Sequence, residues 1–198
     1  MSKKIISLIC VVAILSAGAL TYYLLNNKKN ETDAERFSKE YTQVSEKNVF
    51  VYKNASQIVK ILENGTGVVF LGFADCQWCQ AYAPKLHEVV DDLGIEKVFY
   101  CDIKKDREDN TEDYQKIVSL IGDGLLYDDE GNHRVYVPDV TVVKDGKIIG
   151  HDNESSTATT EKDGTPSEYW TKEKSDALKN RLQVMLEPLI DEACNSCE

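Results

Sequence analysis

The stretch Phe73-Ala74-Asp75-Cys76-Gln77-Trp78-Cys79-Gln80-Ala81-Tyr82-Ala83-Pro84 places two cysteines between two hydrophobic patterns. The continuous apolar run that precedes it, residues 68–73, is typical of a buried strand. Apolar residues at helical spacing follow the cysteines: Tyr82, Leu86, Val89, Val90 and Leu93. The pattern therefore predicts a buried strand, a turn and a helix that begins near Cys76.

Cys76 and Cys79 are the candidate catalytic residues. At a helix N-terminus the unpaired amides and the helix dipole stabilise a thiolate, so Cys76 is the expected nucleophile. Cys79 lies one turn further along and can attack a mixed disulfide formed at Cys76. A purely structural disulfide is the alternative, but closing so short a loop gains little chain entropy.

This motif and a later segment resemble the thioredoxin superfamily. In that family a proline follows the second cysteine by five residues, as Pro84 does here, and a cis-proline opens a later central strand. Residues 137–150, Val-Pro-Asp-Val-Thr-Val-Val-Lys-Asp-Gly-Lys-Ile-Ile-Gly, match that strand and its glycine-containing hairpin. The resemblance implies an α/β, thioredoxin-like fold with a central mixed sheet flanked by helices.

The resemblance also implies a substrate-binding edge beside the cysteine pair. Pro138 would be cis and face the cysteines, and Val137 would offer its main chain to an extended substrate. Trp78, between the cysteines, is a further candidate substrate contact. An ordinary strand-opening proline is the alternative for Pro138. No cofactor and no metal site are expected.

Two positions depart from cytosolic thioredoxins. Phe70 stands where that family carries a buried aspartate in the central strand, and Asp75 stands where it carries tryptophan. A carboxylate at Asp75 should tune the redox site, because its charge opposes the helix dipole and raises the pKa of Cys76. No cationic residue lies within the motif, and the sequence leaves the direction of electron flow open.

Residues 1–29 form a separate N-terminal segment. Ile5 to Leu25 carry no charge and are long enough to span a bilayer as a transmembrane helix. Lys3 and Lys4 favour a cytoplasmic N-terminus and therefore a domain on the extracytoplasmic side of the cell membrane. The small residues 17–19 leave a cleaved signal peptide, and hence a secreted domain, as the alternative.

The rest of the chain divides into three parts. Residues 30–47 are interpreted as a spacer helix, and residues 48–192 as the thioredoxin-like domain, which begins with a β-α-β-α-β pattern. An insert at residues 102–134 is expected to add one helix, which is either an ordinary layer on the sheet or a substrate-selecting cap. Residues 193–198 form a short cysteine-containing tail.

Cys194 and Cys197 form a second C-x-x-C pair in this tail. They could form a second disulfide that is structural, or a redox pair that relays electrons. Zinc shared with Cys76 and Cys79 is a third interpretation, which a cis-proline beside the first pair would oppose.

Charge and resemblance together suggest a function. The net charge of −11 argues against nucleic-acid binding, which needs a basic patch. The anchor, the insert and the acidic character are similar to the bacteriocin transport accessory proteins of Gram-positive bacteria. We therefore expect a thiol–disulfide oxidoreductase that acts on exported cysteine-containing proteins, with a membrane redox partner or an exporter nearby. The alternative is a non-catalytic accessory subunit of a peptide or bacteriocin export system.

Overall fold

The structure is a computed structural model that describes residues 31–153 and 164–190. Its strands are β1 (Phe50–Tyr52), β2 (Gly67–Gly72), β3 (Val98–Asp102), β4 (Leu126–Tyr127), β5 (His133–Arg134), β6 (Asp139–Lys144) and β7 (Lys147–Asp152). Its α-helices are α1 (Asp33–Glu40), α2 (Ala55–Asn64), α3 (Gln77–Asp92), α4 (Lys104–Glu108), α5 (Glu112–Ile121), α6 (Pro166–Tyr169) and α7 (Lys172–Leu186).

The larger of two sheets is mixed and has the strand order β1-β3-β2-β6-β7. Strands β1, β3 and β2 run parallel, whereas β6 is antiparallel to β2 and β7 is antiparallel to β6. The α/β class and the mixed sheet flanked by helices are thus as the sequence predicts.

Strand β2 is the middle strand of the sheet, and both of its faces are covered by the rest of the domain. Val68, Val69, Phe70 and Leu71 all have 0% exposure, which accounts for the continuous apolar run in the sequence. Among the helices, α2 packs against α5, and α3 packs against α7. Strand β2 therefore leads the chain from the buried core to α3, the helix that follows it.

Local sequence signals fix the ends of the helices. Asn54 caps α2 in a capping box, since its side chain accepts from the Gln57 N–H at 2.8 Å and Gln57 Oε1 accepts from the Asn54 N–H at 3.0 Å. Thr171 caps α7, and that helix ends at Leu186, two residues before Pro188. These boundaries confirm the sequence predictions.

Most of the segment interpreted as a spacer, from residue 33 to residue 47, is part of the folded domain. Phe37 and Tyr41 have 0% exposure, and the Phe37 ring stacks on Phe50 with centroids 3.8 Å apart. The compact unit therefore begins at Asp33 and not at residue 48. The helical spacing of the aromatic residues was visible in the sequence, but their partners on β1 and β3 lie far along the chain.

The insert at residues 102–134 is also more elaborate than expected. It contains α4 and α5 instead of one helix, and it ends in the two-stranded hairpin of β4 and β5. Five residues make α4 too short for hydrophobic periodicity to reveal it. The insert thus has the side chains of two helices available to contact the rest of the domain.

Several predictions fall on residues that the structure does not describe. The anchor or signal peptide at residues 1–29 and the tail at residues 193–198 both lie outside the described residues. Within residues 31–153 and 164–190, no helix combines the length and the apolar character that crossing a bilayer requires.

Candidate redox site

Cys76 is the N-cap of α3, directly after the turn that leaves β2. Its sulfur accepts a hydrogen bond from the Cys79 backbone N–H at 3.2 Å. Cys76 is partly accessible, whereas the Cys79 side chain is fully buried one turn inside the helix. The structure thus places the two cysteines as the strand–turn–helix pattern predicts, with one sulfur at the surface and one beneath it.

The electrostatics of the two thiols differ. A hydrogen bond from the Cys79 thiol is the largest influence on Cys76, and it lowers the Cys76 pKa to about 7 although burial opposes it. Backbone N–H groups of Cys79 and Trp78 and the charge of Arg107 act in the same direction. Burial, followed by the hydrogen bond to Cys76, raises the pKa of Cys79 well above its ordinary value. At neutral pH the negative charge therefore belongs on Cys76.

Strand β6 brings a proline loop against the same sulfur. The Val137–Pro138 peptide bond is cis, as the resemblance implies, whereas substrate binding by Val137 and Pro138 stays a prediction. The Cys76 Sγ lies 3.9 Å from the Val137 carbonyl oxygen. Residues 61 positions apart in sequence thus form one edge of the site.

Trp78 packs against the C-terminal part of the chain. Its half-buried ring meets Tyr169 of α6 edge-on, with centroids 5.4 Å apart. A role for Trp78 in substrate binding stays a prediction, and α6 is the element against which it rests.

Asp75 is paired, which the sequence did not indicate. The Lys104 ammonium donates to Asp75 Oδ2, and this hydrogen bond holds the Asp75 pKa below its ordinary value. Both side chains are solvent-exposed, at 66% for Asp75 and 40% for Lys104. The cation that was missing from the motif comes instead from α4, so the carboxylate beside Cys76 is largely neutralised.

An aromatic environment surrounds the buried sulfur of Cys79. A Cβ atom added to Gly72 would lie 3.4 Å from the Cys79 Sγ, 3.2 Å from the Phe70 ring and 3.2 Å from the Tyr41 hydroxyl. The Tyr41 hydroxyl donates to the Tyr100 hydroxyl at 3.1 Å. Phe70 thus lies near Cys79, in surroundings that disfavour a charge on the Cys79 sulfur.

Two further residues hold the site together and were missed by the sequence analysis. Gln80 Nε2 donates to the carbonyl oxygens of Glu40 and Ala74, each at 2.7 Å, and so ties the turn before Cys76 to the end of α1. Arg107 Nη1 donates to the Val135 carbonyl oxygen at 3.3 Å. Gln80 lies within the cysteine motif and Arg107 lies in the insert, but their partners Glu40 and Val135 are 40 and 28 positions away, so no local sequence signal pointed to these bonds.

The remaining cysteines lie elsewhere. Cys101 is buried in β3, and this burial raises its pKa to about 12. Cys194 and Cys197 lie outside the described residues, so their second disulfide stays a prediction. In the part of the chain that the structure describes, no cluster of three or more metal-ligating side chains is present. No protein-family model matches the chain, and no curated protein matches it either.

Proposed function

We propose that this protein is a thioredoxin-like thiol–disulfide oxidoreductase that acts on exported cysteine-containing proteins. The observation that carries the proposal is the asymmetry of the cysteine pair. Cys76 is accessible, caps α3 and has a pKa lowered to about 7, while Cys79 is buried with a raised pKa. A nucleophilic cysteine must be accessible and form a thiolate near neutral pH, whereas a resolving cysteine only needs to reach the mixed disulfide at the nucleophile.

In the reducing direction, the Cys76 thiolate attacks one sulfur of a substrate disulfide. A Cys76–substrate disulfide forms, and the other substrate sulfur leaves as a thiolate that takes up a proton. Cys79 then loses its proton and attacks the Cys76 sulfur, which releases the second substrate sulfur and leaves a Cys76–Cys79 disulfide. Two electrons pass to the substrate. The oxidising direction is the reverse sequence, started by a substrate thiolate.

The Val137 carbonyl is a candidate hydrogen-bond acceptor for the substrate main chain. It lies beside Cys76 at the start of β6, where an extended peptide could add main-chain hydrogen bonds as a short strand. Residues 1–29 would anchor the chain in the cell membrane with this site on the extracytoplasmic side, near a redox partner or an exporter.

A redox titration of the full chain tests the proposal. Cys194 and Cys197 are replaced by alanine so that one C-x-x-C pair remains, and the protein is equilibrated with glutathione of varied redox state. We expect one reversible two-electron couple that disappears in Cys76→Ala. Absence of a reversible couple in the parent protein would favour the non-catalytic accessory subunit instead.

A further inference from the structure

The insert at residues 102–134 holds both backbone polar groups of one residue in the proline loop. The buried Tyr114 hydroxyl on α5 accepts a hydrogen bond from the Val135 N–H at 3.2 Å. Arg107 Nη1 on α4 donates to the Val135 carbonyl oxygen at 3.3 Å. Val135 itself has 0% exposure and lies two residues before Val137. Side chains of the insert therefore fix the segment that leads into the Val137 carbonyl.

The two helices that supply these side chains are joined to each other. The Thr111 hydroxyl donates to Asp106 Oδ1 at 2.9 Å, and the Thr111 N–H donates to the Asp106 carbonyl at 3.0 Å. Thr111 also caps α5 by accepting from the Tyr114 N–H at 3.2 Å. Arg107 and Tyr114 thus belong to one connected unit and do not reach Val135 independently.

Arg107 also contacts the loop that carries Cys76. Its guanidinium carbon lies 5.2 Å from the centre of the Phe73 ring. The Phe73 carbonyl in turn accepts from the Cys76 N–H at 3.1 Å. One side chain therefore touches both segments that flank the reactive sulfur, the turn after β2 and the loop before β6.

We propose that Tyr114 and Arg107 are positioning residues for thiol–disulfide exchange, which hold the Val137 carbonyl in register with Cys76. This inference rests on the proposed function, because register matters only if a substrate disulfide is presented to the sulfur along that edge. A displacement of about 1 Å at a reacting centre is enough to slow a reaction substantially. The insert then holds the substrate edge of the site, a role that differs from both the ordinary layer and the substrate-selecting cap considered from the sequence.

The test compares two phenylalanine substitutions in the full chain. Tyr114→Phe removes only the hydroxyl that binds Val135, and Tyr127→Phe removes an exposed hydroxyl in the same insert and serves as the control. We expect kcat/KM for a disulfide-containing peptide to fall several-fold in Tyr114→Phe, because the Val135 N–H loses the partner that fixes its loop. Alkylation of Cys76 by iodoacetamide should keep its rate, since this small reagent does not need the Val137 edge.

A second pair separates the charge of Arg107 from its contacts. Arg107→Lys keeps the positive charge but loses the planar fork that reaches Val135. In this variant the pH midpoint of Cys76 alkylation should stay near that of the parent protein, while disulfide exchange with the peptide slows. Lys105→Met is the control, because Lys105 lies on the same helix and pairs with Asp109 at the surface.

Hydrogen–deuterium exchange of the Val135 amide gives a readout that does not depend on activity. We expect faster exchange at Val135 in Tyr114→Phe than in Tyr127→Phe. If the parent protein exchanges no disulfides, the proposed function fails and the positioning role fails with it. If the parent is active and Tyr114→Phe matches Tyr127→Phe in peptide exchange, only the positioning role is overturned. Equal slowing of alkylation and peptide exchange in Tyr114→Phe would also overturn it.

Discussion

At the scale of single residues, one helical turn separates two cysteines that differ in accessibility and in the direction of their pKa shifts. Cys76 caps α3 and receives hydrogen bonds, while Cys79 lies against Phe70 and Tyr41 and is withdrawn from water. Hydrogen bonding stabilises a thiolate and desolvation destabilises it. The proposed division of labour between nucleophile and resolving thiol thus rests on where each sulfur lies on the first turn of the helix.

The pH dependence of Cys76 reactivity follows from its lowered pKa. Only the thiolate is alkylated, so the iodoacetamide rate should rise with pH, pass its midpoint near pH 7, and level off above it. Because the Cys79 thiol contributes the largest part of the lowering, Cys79→Ala should move the midpoint to higher pH. The measurement is the alkylation rate against pH, with Cys101→Ala as the control. An unchanged midpoint in Cys79→Ala would contradict the assigned cause.

The two cysteines should also differ in what they trap. Cys79→Ala keeps the nucleophile but lacks the resolving thiol, so it should accumulate mixed disulfides with substrate proteins. Cys76→Ala should accumulate none at this C-x-x-C pair, because the Cys79 thiol is fully buried; both variants also carry alanine at Cys194 and Cys197. Non-reducing gels of cells that express each variant give the comparison. Equal trapping by both variants would remove the proposed roles.

Asp75 and Lys104 should tune Cys76 as a pair. Asp75→Asn leaves the Lys104 charge unopposed and should lower the Cys76 pKa, which makes the couple more oxidising. Lys104→Gln leaves the negative charge of Asp75 unopposed and should raise the Cys76 pKa. Each change should be no more than about half a pH unit, because water screens both exposed charges. Thiolate absorbance against pH measures the shift, and the double variant is the control, since it should lie close to the parent protein.

At the scale of elements, α1 is a structural neighbour of the cysteine pair. Its Phe37 ring stacks on Phe50, and the Glu40 carbonyl at its C-terminal end accepts from Gln80. Gln80 also holds the Ala74 carbonyl in the turn before Cys76. The helix that follows the N-terminal segment is therefore connected directly to the loop that carries Cys76.

Loss of this helix packing should destabilise the whole domain. Phe37→Ala removes a fully buried ring, and such substitutions typically cost about 3–5 kcal/mol of unfolding free energy. Thr42→Ala, at an exposed position just after α1, is the control and should change stability by less than about 0.5 kcal/mol. Urea denaturation measures both values. Equal stability of the two variants would restore the spacer interpretation of residues 30–47.

At the scale of the whole molecule, a buried polar network joins the cysteine helix to the C-terminal part of the chain. The Tyr82 hydroxyl on α3 donates to Asp152 Oδ1 at 3.1 Å, and Arg181 Nε on α7 donates to Asp152 Oδ2 at 2.7 Å. Nearby, His151 and Asp139 share a hydrogen bond of 2.7 Å. Strands β6 and β7 are thereby fixed to the helix that begins at Cys76.

The proposed location can be tested with Cys76 as a reporter. In a full chain with Cys76 as its sole cysteine, a membrane-impermeant maleimide should label intact cells, because the proposed anchor places this site outside. The same chain without residues 1–29 is the control and should be labelled only after lysis. Labelling of the full chain only after lysis would contradict an extracytoplasmic site.

The sequence by itself determined the elements whose signals are local. The apolar run before Cys76, the helical spacing after it, the capping box at Asn54 and the stop before Pro188 each depend on neighbours within a few residues. Helix ends and strand burial follow from such short-range hydrogen bonding and periodicity. The elements around the cysteines and the place of Cys76 at a helix N-terminus were therefore predictable, whereas the short helix and the hairpin of the insert were not.

Only the tertiary structure decided which distant groups surround the cysteines. Lys104 reaches Asp75 across 29 positions, and Arg107 reaches Val135 across 28. Phe37 proved to be core because β1 supplies a ring for it to stack on. The charge of a side chain and the periodicity of the sequence indicate which kinds of group a residue can contact. The packing of helices and strands sets the distance between the two groups. Since electrostatic and hydrogen-bond energies depend on that distance, the environment of Cys76 could be read only from the fold.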